Sequence, residues 1–252
     1  MRSTTPAWVL RRIRWSDTSL ILHLYSLDYG RISAMARGAL RPGGRLHGTL
    51  EPFSGIAATL SRREGREMDT LIDAAVEQPI PALRADPRAY AHAGLFSEWV
   101  SGLLYGSEPC SPTFHLIGAV FGRLASAPSP WSVTCAGIEK LLLLAGVRME
   151  LEKCTRCGGE MTGEEPAWSH TSGGLVCRGC LRPGDAGIAP GLLEFLRLCR
   201  RTDIESTGGT RLWKGGFRQC HDFLREYAEA HVQARLKFRS LAVLEDLENA
   251  VR

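Results

Sequence analysis

The chain has 252 residues, 44% of them hydrophobic and 23% charged, with a net charge of +4. That apolar content supports a sizeable buried core, more readily split into two or three small domains than held in one, and excludes a disordered chain. It also excludes a membrane-spanning helix, because the longest clean apolar run, Leu141–Val147, falls well short of the roughly 18 residues a span needs.

Met1–Trp15 carries arginines but lacks the continuous apolar segment and small-residue cleavage site of a secretory signal, so a cytoplasmic protein is expected. Charge is unevenly placed. Arg2, Arg11, Arg12, Arg14, Arg31, Arg37, Arg41 and Arg45 against only Asp17 and Asp28 leave the first fifty residues six charges positive, while the remainder is nearly balanced. The chain's general preference for arginine over lysine does not explain that asymmetry.

From Ala7 to about Val76, short β-rich runs alternate with turn residues, as in a small antiparallel barrel or sandwich. The spacing predicts five strands: Trp8–Arg14, Leu20–Ser26, Arg31–Arg37, Phe53–Leu60 and Thr70–Val76. Asp28-Tyr29-Gly30 predicts a tight turn, Arg41-Pro42-Gly43-Gly44 a flexible loop, and Arg62–Arg66 a charged hairpin tip. Five strands of this size suggest an OB-fold barrel over residues 1–80. At Gln78-Pro79-Ile80-Pro81 the pattern breaks, and its period changes from two to about 3.6. Residues 81–252 are then expected to form a helical domain. Its helices run from Asp86 or Pro87 to Tyr105, then Pro112–Ala125, Trp131–Gly146, Pro190–Arg200 and Gly215–Arg235. The fold class expected is therefore α+β, with an insertion at about 150–185 inside the helical part.

That insertion carries the strongest chemical signal. Cys154-Thr155-Arg156-Cys157 and Cys177-Arg178-Gly179-Cys180 are two CxxC knuckles with nineteen residues between them, a spacing that reads as a tetrahedral all-cysteine zinc site. Four protein ligands leave no position for a reactive water, so one structural zinc per chain is expected. A thioredoxin-like motif would place one CxxC between a strand and a helix, and a zinc deaminase would need H-x-E with P-C-x-x-C. An iron–sulfur cluster is less usual with paired knuckles. His170, between the knuckles, could replace a cysteine but reads better as a solvated loop histidine. Cys110, Cys135, Cys199 and Cys220 lie in apolar or helical stretches and read as small buried hydrophobes. Phosphate-binding, nucleophile-elbow and zinc-protease motifs do not occur, so no enzymatic activity is expected.

Several stretches, taken in order, resemble the RecO family of bacterial recombination mediators over nearly the whole chain. They are Val9-Leu10, Ser19–Ser26 with Gly30, Ala36-Arg37-Gly38-Ala39, Leu50-Glu51-Pro52-Phe53, Leu141–Gly146 before the first knuckle, and His231 with Lys237–Leu244. Gly137-Ile138 departs from the family's aromatic–acidic start to this helix, with Glu139 as a shifted substitute. The resemblance implies a non-enzymatic protein that binds single- and double-stranded DNA, anneals complementary strands and helps load RecA on coated single strands. RecR, RecF and the single-stranded-DNA-binding protein are its implied partners, and zinc ligands are not universal in the family. A zinc-ribbon OB-fold factor for RNA or transcription is the competing reading, and a metalloenzyme a weaker one.

Two residue sets carry the expected contacts. Arg37, Arg41 and Arg45, spaced by four beside Gly38, Gly43 and Gly44, place positive charge on a loop that can follow a phosphate backbone, with Arg11, Arg12 and Arg14 nearby. Trp15, Tyr29 and Phe53 are candidates for base stacking, with Phe53 read as core. Arg197, Arg200, Arg201 and Arg211 flank the apolar run Leu192–Leu198 and suit the acidic carboxy-terminal tail of the single-stranded-DNA-binding protein.

Overall fold

Alternation builds the amino-terminal sheet. In the computed structural model, β1 is Arg2–Arg14, β2 Leu20–Ser26, β3 Gly30–Ala36, β4 Gly55–Ser61 and β5 Asp69–Gln78, and β3 buries every second side chain. The structure describes residues 2–62, 65, 68–104, 108–161, 166–207, 209–210, 215–232 and 236–250. The five strands close into a barrel of order β1-β2-β3-β5-β4, with β3 and β5 parallel through Ala34–Asp69 and Met35–Thr70 and every other pair antiparallel. Val9, Leu22, Leu24, Ala34, Ile56 and Leu60 fill it.

β1 begins six residues before its expected start. Arg2–Ala7 pairs with Ser61–Ile56 of β4, so backbone hydrogen bonding, rather than apolar patterning, defines this half of the strand. A bulge between Val9 and Arg11 then shifts the register: Val9 faces Leu24, but Arg12 faces Leu22 and Arg14 faces Leu20, while Arg11 faces His23. Because residues directly opposite share a face, Arg12 and Arg14 follow the barrel-interior row to its exposed mouth and Arg11 turns to the outer face.

Three helices pack on the barrel's outer face or follow from it: α1 (Pro81–Ala85), α2 (Pro87–Leu103) and α3 (Ser111–Leu124), each with proline in its first turn, where the missing N–H costs nothing. Trp8 points out of β1 into this layer; its indole Nε1 donates to the Phe114 carbonyl at 3.0 Å and its ring meets Phe114 and Phe121. Phe53 is held at φ 66° by its N–H bond to the Val9 carbonyl at 2.7 Å. Its ring packs against Tyr90 and Phe121 at 4.8 and 5.2 Å, which makes it the core residue the sequence suggested.

Two compact units divide the chain at places other than residue 80: residues 1–126 with 238–252, and residues 127–237. The first is completed by α8 (Ser240–Asn249), which packs along α2. Phe238 stacks on Trp99 with ring centres 4.9 Å apart, and the Ser240 N–H donates to Glu98 Oε2 at 3.1 Å. Neither α1 nor α8 was expected from periodicity; α8 buries only Leu244.

The second unit contains α4 (Pro130–Leu144), a small sheet of β6 (Ala167–Ser169), β7 (Gly174–Val176) and β8 (Ala186–Gly187) in the order β7-β6-β8, then α5 (Pro190–Arg201), α6 (Ile204–Thr207) and α7 (Gly216–His231). Cys135, Cys199 and Cys220 are fully buried on α4, α5 and α7, in keeping with their reading as small hydrophobes. The expected extension of the last of these helices to Arg235 falls partly outside the described residues.

Candidate metal centre and nucleic-acid surface

The two knuckles meet because the segment just before the first pairs with β7, just before the second. Glu150 and Leu175 bond to one another's strand, Glu150 N–H to the Gly173 carbonyl at 2.9 Å and Leu175 N–H to the Glu150 carbonyl at 3.0 Å. Thr155 N–H adds a bond to the Leu175 carbonyl at 2.8 Å. Gly174 is obligatory here, since a Cβ would sit 2.5 Å from the Glu150 carbonyl oxygen.

All four sulfurs of Cys154, Cys157, Cys177 and Cys180 lie within 4.8 Å of one another. Cys157 Sγ and Cys177 Sγ are 3.8 Å apart, as expected for the edge of a tetrahedron with metal–sulfur bonds of about 2.3 Å. That is far too long for a disulfide, and all four are free thiols. Burial opposes ionisation of Cys154, but N–H groups of Cys177, Cys157 and Arg156 outweigh it and bring its pKa down to about 6. Hydrogen bonds of the Cys180 thiol to the Cys177 and Cys157 sulfurs favour its protonated form and push its pKa up to about 12. Four such thiols cannot all ionise together without a cation between them, so the donor set suits a thiophilic metal ion.

A latch closes the site from outside. The Arg156 guanidinium, inside the first knuckle, grips Asp185 with Nη1–Oδ2 at 2.5 Å and Nη2–Oδ1 at 2.9 Å, and donates to the Cys180 carbonyl and Ser169 Oγ. It holds the Asp185 carboxyl well below the ordinary carboxylate range. His170 is not a ligand and not a solvated loop residue: it is half-buried against Trp168 and Phe223, with Nε2 3.7 Å from Glu226.

The arginines on α5 have internal employment that a helical pattern cannot reveal. Arg197 Nε and Nη2 donate to the Leu151 carbonyl at 3.0 and 2.9 Å, and its Nη1 meets Glu194. Arg200 donates to Glu139 Oε1 at 2.7 and 3.1 Å and to the Met149 carbonyl at 2.7 Å. Glu139, the shifted substitute for the family's acidic residue, is buried on α4 as the partner of Arg200. Arg201, 66% exposed, reaches only Glu152 among the described residues; Arg211 lies outside them.

On the barrel, five of the six expected arginines gather at one end. Arg14 pairs with Leu20 and Leu20 with Ala36, so Arg14 on β1 and Arg37 just after β3 lie at the same end of the barrel, on either side of β2. The loop that follows is pinned there by Leu40 N–H bonding to the Thr18 carbonyl at 3.0 Å. Arg37, Arg41 and Arg45 are all exposed on it. Weak acidic neighbours restrain some of this charge: Arg12 meets Glu51 at 3.0 Å, Arg14 meets Asp17 at 3.5 Å and Arg45 meets Asp73 at 3.9 Å. Arg11 does not join them. It lies on the other face beside His23, whose pKa is lowered by burial and then by Arg11 and Arg31. It also acts on Glu98, whose carboxyl burial raises against the pull of Ser240, Arg239 and Arg11.

Comparison with known proteins gives both halves the same relatives. Residues 1–80 match the family model described as Recombination protein O N terminal, and residues 84–240 that described as Recombination protein O C terminal. The DNA repair protein RecO of Anaeromyxobacter dehalogenans (strain 2CP-C) is 30% identical over 234 residues, 92% of each chain. That of Rubrobacter xylanophilus is 31% identical over 232 residues, 90% of this chain and 89% of the relative. That of Geobacter metallireducens is 30% identical over 249 residues, 98% and 99%.

Proposed function

Because this chain belongs to the RecO family of DNA repair proteins, we propose that it is a non-enzymatic recombination mediator whose amino-terminal barrel, an OB-fold, binds single- and double-stranded DNA. The observation that carries this reading is the hydrogen bond from Leu40 to Thr18, which anchors the arginine loop beside the arginine-bearing end of β1. Mobile guanidinium groups on a pinned loop can follow phosphates of any sequence, releasing counterions as they bind. Annealing of complementary strands, loading of RecA on coated single strands and action with RecR and RecF in the bacterial cytoplasm and nucleoid belong to the same proposed function, a reading supported by the family resemblance.

The metal of the four-cysteine centre is read as zinc, one per chain. Its chemistry there is to neutralise and crosslink four thiolates, which fixes the two knuckles without offering an open coordination position. For the acidic tail of the single-stranded-DNA-binding protein, Arg201 is the α5 cation most free to contribute, because Arg197 and Arg200 hold the segment Met149–Leu151.

The test is a salt titration of single-strand binding by a folded Arg37→Ala, Arg41→Ala, Arg45→Ala variant. Three lost phosphate contacts should flatten the log–log salt slope by roughly two. Wild-type affinity and slope in that variant would move the DNA surface away from this end of the barrel.

A further inference from the structure

We propose that Trp15 is a stacking platform for an unpaired nucleobase; the inference rests on the reading of the barrel as a DNA-binding surface and assigns it a second, uncharged mode of contact. Trp15 is 66% exposed, the most exposed of the large hydrophobic side chains described, whereas Trp8, Trp99 and Trp168 are at 2% or less. An indole left in water forgoes the burial that normally recommends tryptophan, and the turn does not need it. The turn is held by Trp15 N–H and Ser16 N–H to the Ser19 carbonyl at 3.0 and 3.4 Å and by the Arg14 side chain on the Ser16 carbonyl and Asp17, without use of the indole.

Its surroundings name the occupant. Arg14 precedes it in the chain, and Thr18, in the same turn, accepts the hydrogen bond that pins the arginine loop. A cationic rail beside an exposed aromatic face matches a single strand, whose phosphates go to the guanidinium groups and whose base goes to the ring. A duplex offers no free base face, so the contact favours single strands. The other aromatic candidates are unavailable: Phe53 is buried between Tyr90 and Phe121, and the Tyr29 ring is covered by Arg62 at 4.0 Å. Stacking is indifferent to base identity, in keeping with a protein that must bind any exposed strand.

The experiment uses the full chain with Trp15→Ala and Trp15→Phe, binding a labelled oligothymidylate and a labelled duplex across a salt series by fluorescence anisotropy. Trp15→Ala should weaken single-strand binding on the order of ten-fold, with its salt slope and the duplex affinity unchanged, and Trp15→Phe should recover most of the loss. Unchanged single-strand binding by Trp15→Ala, while the triple arginine variant flattens the slope, overturns the stacking contact and leaves the charged surface standing. Equal loss on duplex, or a flattened slope in Trp15→Ala, also overturns it, because the side chain would then be acting through the turn. Should neither Trp15→Ala nor the arginine variant change binding, both readings fall together.

Discussion

Trp8 and Phe114 are joined by a buried hydrogen bond, indole Nε1 to carbonyl oxygen at 3.0 Å, between residues 106 positions apart. The bond fixes the depth at which α3 rides on β1, and Gly118, one turn further along α3, leaves room for the ring: a Cβ there would lie 2.5 Å from Trp8 Cζ2. Gly118→Ala therefore overpacks this seam despite the better helix propensity of alanine. We expect a loss of about 1–3 kcal/mol, read as a lower urea midpoint followed by tryptophan fluorescence. Gly122, with open space around it, is the control: Gly122→Ala should be neutral or mildly stabilising.

Zinc retention should depend on the latch as well as on the thiols. Cys157→Ser or Cys177→Ser should leave less than one zinc per chain by elemental analysis and lower the unfolding temperature. Arg156→Ala keeps all four sulfurs but frees Asp185 and the Cys180 carbonyl, so zinc should transfer faster to a chromogenic chelator at unchanged stoichiometry. Chelator-stripped protein should lose protection in β6, β7 and β8 and around the knuckles, and keep the barrel's far-ultraviolet signature.

Neutralising Glu51 or Asp73 should strengthen DNA binding. Glu51 engages Arg12 and Arg84, and Asp73 engages Arg45, through exposed pairs that compete with phosphate. Glu51→Gln and Asp73→Asn should raise single-strand affinity a few-fold at low salt, with the gain fading toward about 1 M salt as screening removes it. A loss of affinity in both would mean that these acids organise the loop instead.

His92 makes the first unit sensitive to mild acid. Burial on α2 lowers its pKa to about 3, so the folded chain refuses a proton that the unfolded chain takes up near the ordinary histidine value of 6.5. Across that interval the unfolded state binds more protons, and stability falls as pH falls, by up to about 1.4 kcal/mol per pH unit for this group. Urea midpoints between pH 6.5 and 5 should show the decline, and His92→Gln should flatten it; an unchanged slope would assign the acid sensitivity to other groups.

What could be read from the sequence divides along physical lines. Strands β3 and β4 follow from alternation because one face of each is buried, β2 from a short apolar run buried on both faces, and the four cysteines from spacing because metal geometry demands it. Arg2–Ala7 escaped because Ser3, Thr4, Thr5 and Pro6 carry no apolar rhythm, although their backbone completes the barrel. Neighbouring strand residues alternate faces, and the bulge decides that Arg12 rather than Arg11 continues the row of Val9; it has no local signature, so the six arginines looked like one cluster. Likewise Arg156–Asp185 and Arg200–Glu139 join residues 29 and 61 positions apart. Such pairs emerge only when tertiary packing brings the segments together, and until then a buried arginine reads like a solvated one.

The return of the chain to its first unit sets an order of events during synthesis. Phe238 and α8 close over Trp99 and Gly94 of α2, yet they are made only after residues 127–237. At bacterial translation rates of about 5–20 residues per second, α2 waits on the order of ten seconds for its cover while the intervening unit leaves the ribosome. Residues 127–237 form an uninterrupted stretch and can fold within that delay, so the unit begun first is finished last. A nascent chain cut short between Leu103 and Phe238 would carry a barrel with an uncovered α2 face, a species that chaperones and proteases can distinguish from the finished protein.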